Sequence, residues 1–159
     1  MDIHKLDRIF NPRRIALIGV TINPNSVGGK VLSNLVAGGF RGVVYPVNPE
    51  SEAVMGIPCY PDLASLPKTP DLAVICTPAE KVPATVQACG EAGILGIIIL
   101  SAGFKETGPD GKALEDQIRA YHKQFPGMRI IGPNCLGIIV PERNLNLSFA
   151  GAMPKAGNV

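Results

Sequence analysis

The sequence predicts a three-layer α/β/α domain built on a doubly wound parallel sheet. Three observations carry that expectation. Five short runs rich in Ile and Val are continuously apolar, as strands covered on both faces must be. Stretches with helical spacing of apolar residues separate most of them. Glycine and proline punctuate the joins. Such alternation gives right-handed crossovers and a parallel sheet. The expected strand order is 3-2-1-4-5, with the switch point between the first and fourth strands.

Taken in chain order, the first strand spans residues 15–20. A polar loop follows. A helix over 28–37 then presents Val31, Leu32, Leu35 and Val36 on one face before Gly38-Gly39 stops it. The second strand is 42–47. Residues 58–70 are irregular, with one short helical turn expected at 62–66. The third strand, 72–76, leads to a helix over 80–92 that carries Val82, Val86 and Cys89 inward, with Gly93 past its end. The fourth strand is 97–100. A helix over 112–124 carries Leu114, Ile118 and Tyr121, and then Phe125, at helical spacing. The fifth strand, 129–131, runs into Gly132-Pro133-Asn134-Cys135-Leu136-Gly137, an amide and a thiol on a turn with little side-chain bulk. Ligands of open parallel sheets bind at such carboxyl ends of strands. The tail, 141–159, reads as turn-rich without a helix. Its last residues, Ala156 to Val159, read as a turn entering a further strand. Residues 1–159 are therefore expected to form one domain, the N-terminal part of a longer multidomain protein.

Composition narrows the function. With 46% hydrophobic and 18% charged residues the chain is globular. A net charge of +2 is too small to indicate a nucleic-acid or membrane surface, yet it does not oppose an anionic ligand. The segment Met1 to Asp7 is polar and lacks the apolar stretch of a secretory signal. The longest apolar run, 94–100, is too short to span a bilayer. Cys59, Cys76, Cys89 and Cys135 show no C-x-x-C spacing, so neither a zinc site nor a disulfide framework is signalled. A reducing, cytoplasmic setting is the expectation.

The chemistry concentrates at strand ends. After Gly19 a polar loop leads through Thr21 and Asn25 to Ser26, Val27 and Gly28, where the first long helix begins. The free amides of a helix start form an anion site, aided by the helix dipole. Ser26 can cap that helix or bind phosphate, and Lys30 lies one turn in. The plainer reading is an ordinary N-cap with a glycine for close packing. The dinucleotide fingerprint G-x-G-x-x-G is absent, and the second strand ends in Val47-Asn48-Pro49 rather than in the acidic residue an NAD site expects. All five strand ends carry small or amide residues: Thr21, Asn48, Thr77, Ser101 and Asn134. That suits a long ligand lying across the carboxyl edge. Cys135 as a nucleophile would need a histidine partner. His4 sits in the N-terminal arm and His122 on a flanking helix, so no catalytic residue is assigned. No metal cluster, carboxylate pair or Ser-His-Asp set can be assembled.

Seven short motifs, in order, carry a family resemblance. They are Phe10-Asn11-Pro12-Arg13-Arg14-Ile15-Ala16-Leu17-Ile18-Gly19, Ser26-Val27-Gly28, Pro46-Val47-Asn48-Pro49, Gly56-Ile57-Pro58-Cys59-Tyr60, Cys76-Thr77-Pro78-Ala79, Ser101-Ala102-Gly103-Phe104 and Gly132-Pro133-Asn134-Cys135-Leu136-Gly137. The chain resembles the CoA-binding domain of nucleoside-diphosphate-forming acyl-CoA synthetases. These include ADP-forming acetyl-CoA synthetase and, more distantly, the alpha subunit of succinyl-CoA synthetase. The resemblance implies a Rossmann-like fold that binds coenzyme A or acyl-CoA. It implies that the loop after Gly19, with Thr21, Asn25, Ser26, Val27 and Gly28, holds the CoA phosphates. Asn48, Pro49, Thr77 and Pro78 would flank the adenosine end, and Ser101, Ala102, Gly103, Phe104 and Asn134 would line the pantetheine path. The family's reaction turns acyl-CoA, phosphate and ADP into acid, CoA and ATP through a phosphohistidine. That histidine belongs to a second domain, and the nucleotide with its Mg belongs to an ATP-grasp domain. Alternative expectations are a regulatory CoA-sensing module fused to an acetyltransferase, or an NAD(H)-binding domain.

Overall fold

The structure is a computed structural model that describes residues 6–157; His4 and the closing Asn158-Val159 lie outside the described residues. A short helix α1 (Asp7–Phe10) precedes β1 (Arg14–Ile18). Helix α2 (Val27–Ala37) leads to β2 (Val43–Val47), followed by a small hairpin of β3 (Ala53–Val54) and β4 (Ile57–Pro58). Then come β5 (Leu72–Ile75), α3 (Val82–Glu91), β6 (Gly96–Ile99), α4 (Pro109–Gln124) and β7 (Arg129–Ile131). A second hairpin, β8 (Gly137–Val140) with β9 (Leu145–Ser148), completes the described chain.

The local causes are plain. Ser26 caps α2 by accepting a hydrogen bond from the Gly29 amide at 3.0 Å. The same helix ends where Gly39 takes a φ of +68°, and the Phe40 amide reaches back to the Leu35 carbonyl. Pro83 and Pro109 stand in the first turns of α3 and α4, where a missing N–H costs nothing. The turn 62–66 is not helical. The Ser65 amide donates to the Asp62 carboxylate at 2.8 Å and closes it as a side-chain turn.

The parallel five-stranded sheet bears out the doubly wound α/β fold class, but its order corrects the expectation. The order is β2-β1-β5-β6-β7, so the first strand lies between the second and third. The switch point falls between β1 and β5. Pro46 explains the difference. An order of 3-2-1 would place the second strand inside the sheet, where proline leaves a ladder donor missing. In the structure Pro46 faces the outer edge of β2, and only its carbonyl is used there, accepting from the Tyr60 amide at 2.9 Å. The third strand, Leu-Ala-Val-Ile, is buried at all four positions and takes a central place.

Right-handed crossovers in opposite directions from β1 put connections on both faces. On one face Val82, Val86 and Ile118 of α3 and α4 pack with Ala16, Ala73, Ile75, Ile97 and Ile99, and the 62–66 turn adds Leu63 and Leu66. On the other, Val31, Leu32 and Leu35 of α2 meet Ile15, Leu17, Val74 and Ile98. The β8–β9 hairpin covers the rest of that face with Leu145 and Leu147. It is held to α2 by Asn34, whose side-chain amide donates to the Ser148 and Ala150 carbonyls at 2.8 and 3.0 Å. The tail, expected to be turn-rich without a helix, contains a strand and a short 3-10 turn, Pro141–Arg143.

Phe104 is 0% exposed in the core beneath α3 and α4. Phe104→Ala is expected to destabilise the chain by about 3–5 kcal/mol, the range for deleting a buried aromatic ring. Urea unfolding would check this; a loss under about 1 kcal/mol would mean the ring is not a core residue.

Candidate functional site

The carboxyl ends of β1, β2 and β5 open into a cleft of about 1230 Å³. Gly19 sets its floor. Its φ is +85°, and a Cβ there would stand 2.8 Å from the Thr77 amide nitrogen. Only glycine lets the ends of β1 and β5 meet this closely. Gly28 does the same one layer up: a Cβ there would lie 2.9 Å from Val20 Cα. The first turn of α2 therefore rests directly on the end of β1. The amides of Val27 and Gly28, its first two residues, have no acceptor among the described residues. They are the orphan donors of a helix N-terminus, placed at the positive end of its dipole.

The structure brings Gly19, Thr21, Ser26, Val27, Gly28, Asn48, Pro49, Thr77 and Pro78 to this cleft. A smaller cavity of about 300 Å³ adjoins it and shares Val27 and Cys76. Ser101, Ala102 and Asn134 line that cavity, together with Leu136 and Phe149. Asn25, Gly103 and Phe104 line neither, and the Phe104 ring points into the core. Lys30 is exposed and also lies outside both. Sequence reasoning missed the outer wall, formed by 61–64 and by the small residues Ala84, Thr85 and Ala88 of α3. The small residues at 84, 85 and 88 share a helical face, which was the available signal.

Several polar groups at the strand ends fasten loops. The Ser26 hydroxyl donates to the Asn23 carbonyl at 2.7 Å and accepts from Gly29 N and Thr21 Oγ1, both at 3.0 Å. Asn48 donates to the Val20 carbonyl at 2.7 Å and accepts from Glu50 N at 2.9 Å. The Ser101 hydroxyl donates to the Thr77 carbonyl at 2.6 Å, and the Asn134 amide donates to the Ser101 carbonyl at 2.9 Å. Two side chains are not fastened in this way. Thr77 Oγ1 is buried without a partner, and the Asn134 side chain is exposed at a φ of +52°. A buried hydroxyl without a partner is costly, so a ligand group that bonds it regains that energy.

The charges in the large cleft are one-sided. Lys81 faces Glu50, Asp62, Glu80 and Glu91. A phosphate is therefore attracted at the α2 end and repelled along the outer wall.

The Cys135 thiol is engaged rather than activated. It donates to the Ile99 carbonyl at 3.3 Å, and burial raises its pKa. The described histidine, His122, sits on α4 with Nε2 at 3.1 Å from the Met128 carbonyl. Burial pushes the thiols of Cys76 and Cys89 up to about 12. Among the described residues no group of three or more His, Cys, Asp or Glu is placed to hold a metal. No described helix is long and apolar enough to cross a membrane.

The chain matches the CoA binding domain family over residues 13–141. It is 44% identical over 155 residues to the alpha subunit of an ADP-forming acetate–CoA ligase II of Pyrococcus furiosus, covering 97% of this chain and 33% of the relative. It is 38% identical over 154 residues to the ADP-forming acetate–CoA ligase I of Archaeoglobus fulgidus, covering 97% of this chain and 22% of that protein. A solved acetyl-coenzyme A synthetase 1 of Ca. Korarchaeum cryptofilum, in complex with phosphate and ADP, superposes with a TM-score of 0.84 at 38% identity. That superposition covers 91% of this chain and 30% of the synthetase chain. The chain thus spans a third or less of the length of these relatives.

The raised thiol pKa values give a direct test. Fewer thiolates form at a given pH when the pKa is raised, so alkylation slows. With iodoacetamide at pH 8, Cys76 and Cys89 are expected to stay unmodified while a free thiol reacts, and Cys135 is expected to lag it. Mass spectrometry of timed samples reads this. Fast labelling of Cys135 would show an activated thiol and reopen the nucleophile reading.

Proposed function

Because this chain belongs to the CoA binding domain family, we propose that it is the coenzyme A-binding part of an ADP-forming acid–CoA ligase. The observation that carries the reading is the pair of free amides at Val27 and Gly28, pressed over the end of β1 beside an open cleft. The residues fit the ligand: helix amides for the phosphates, and a buried, unpartnered Thr77 hydroxyl for a polar group of the bound molecule.

In this reading the pyrophosphate lies on the α2 amides. The adenosine end lies against Asn48-Pro49 and Thr77-Pro78, and the acids of the outer wall suit ribose hydroxyls, which donate, better than further phosphate. The pantetheine arm runs past Val27 toward Ser101, Ala102 and Asn134, where the exposed Asn134 amide orients it. Gly103 and Phe104 support that path through their backbone and the core. The thiol then arrives at the smaller cavity. In the parent protein this is where a second domain would present the acyl group.

The parent reaction is proposed as acyl-CoA, ADP and phosphate giving acid, CoA and ATP. Its phosphohistidine lies on another domain and its nucleotide, with Mg, on an ATP-grasp domain. Neither domain is supplied by the described residues, whose histidine, His122, lies on α4 away from the cleft. The chain alone therefore binds CoA without turnover. Four free cysteines suit a reducing, cytoplasmic setting. The acetyltransferase-linked and NAD(H) readings gain no support from the relatives.

Calorimetric titration with CoA, with dephospho-CoA and NADH as controls, tests the reading: CoA binds and NADH gives little heat. Absence of CoA heat in a folded sample, or preference for NADH, would overturn it. Val27→Glu sharpens the test. A carboxylate in the first turn of α2 favours the helix, so the Tm holds or rises, while repulsion lowers CoA affinity by on the order of tenfold or more. Unchanged affinity would remove the α2 terminus from the site. Thr77→Val deletes the unpartnered hydroxyl at constant shape. It is expected to leave stability unchanged or raise it by up to about 1 kcal/mol while weakening CoA binding several-fold.

A further inference from the structure

We infer that the chain carries a second ligand site, a basic cleft at the amino ends of the strands that takes a small polyphosphate anion. The cleft measures about 820 Å³ and lies at the opposite end of the sheet from the cleft described above. Arg13, Arg14, Arg41, Lys68 and Arg143 line it, against one acid, Glu142. They come from four separate segments: the start of β1, the approach to β2, the approach to β5, and the turn between β8 and β9. The fold therefore gathers them from distant parts of the sequence, and no single run of basic residues marks the site.

Charge makes this concentration informative. Five cations less one acid give the lining a formal +4, whereas the whole chain carries +2. The remainder is thus net negative, and the cations are segregated. On α4, by contrast, cations are paired: Arg119 meets Glu115 at 2.8 Å, and Lys112 meets Asp116 at 2.6 Å. In the cleft only Arg14 is held, by the Thr69 carbonyl at 3.0 Å and by Asp71 at 3.8 Å. The side chains of Arg13, Arg41, Lys68 and Arg143 have neither an ion pair nor a hydrogen bond among the described residues. Like charges converging on one cavity repel, and a multivalent anion relieves that repulsion.

The class of ligand follows from the donors and the shape. Four of the five cations are arginines, whose planar forks match phosphate oxygens in pairs. The volume lies within the range of small-ligand cavities, about 300–1,000 Å³. The aromatic side chains of Phe40 and Tyr45 also line it and offer an apolar wall. A linear polyphosphate and a nucleoside di- or triphosphate share this chemistry.

The test is calorimetry of the 159-residue chain with inorganic tripolyphosphate and with ATP, in saturating CoA, repeated on Arg41→Glu and Arg143→Glu. Both probes are expected to bind once per chain, several-fold more weakly at high salt. Affinity should fall by on the order of tenfold or more in each variant, while CoA binding and Tm stay unchanged. Tighter binding of ATP assigns a nucleotide with its base against Phe40, and equal binding assigns the phosphate chain alone. Arg143→Ala, which adds no new charge, should lose several-fold. The substitutions assign the site, so the test stands even if CoA does not bind. No binding at millimolar probe, or affinity unchanged in both reversal variants, overturns the inference. An acidic peptide or a single-stranded oligonucleotide binding more tightly than tripolyphosphate would overturn it in favour of a macromolecular partner.

Discussion

The carboxyl edge of the sheet depends on the absence of a side chain at residue 19. There the ends of β1 and β5 approach so closely that a Cβ would stand 2.8 Å from the Thr77 nitrogen. The φ of +85° adds a second demand for glycine, since a left-handed conformation costs other residues about 1–2 kcal/mol. Gly28 transmits this closeness to α2, whose first turn rests on Val20. Both contacts fall beside the switch point between β1 and β5, where neighbouring connections leave to opposite faces and open a crevice. The cleft, the free amides and the buried Thr77 hydroxyl follow from those two positions without side chains.

Much of this was legible in the sequence, for identifiable reasons. Strands covered on both faces need apolar residues at every position, so runs such as Leu72 to Ile75 stand out without periodicity. The sheet order was also present, in Pro46, but only for a reader who asks which strand can spare a donor. The hairpins were harder. β3 and β4 have two residues each, too few for a pattern. In β9 the alternation Leu145-Asn146-Leu147-Ser148 reads as half-exposed, yet all four are buried. Ser148 bonds Asn146 Oδ1 through both its amide and its hydroxyl, at 3.1 and 2.7 Å, so the polar pair is satisfied internally.

For the site, the sequence located the loops but could not separate fasteners from free groups. Asn48, Thr21, Ser26 and Ser101 look equivalent to Thr77 and Asn134 as polar residues at strand ends. The difference is made by hydrogen bonds between residues far apart in the chain, such as Asn48 to Val20 and Ser101 to Thr77. The division has a mechanical sense. A ligand edge made of loops must be rigid if a few free groups are to meet a ligand in fixed positions, and four fastened side chains hold the remaining two in place. Phe104 belongs to the same logic: its ring anchors the loop after β6 from within the core.

The two ends of the sheet differ in electrostatics because parallel strands point every connecting helix the same way. α2 begins at the carboxyl edge and ends beside the basic cleft, since Phe40 and Arg41 follow it closely. Its positive pole therefore supplies attraction where the side chains are mostly acidic, and its negative pole lies near the gathered cations. A helix pole amounts to roughly half an elementary charge, whereas the basic lining sums to +4. The dipole thus leaves most of that charge uncompensated. The same magnitude is ample at the other end in the proposed reading, where two directed amides and half a charge would need only to hold phosphate oxygens in contact. The carboxyl edge offers recognition through backbone geometry, and the amino edge through side-chain charge.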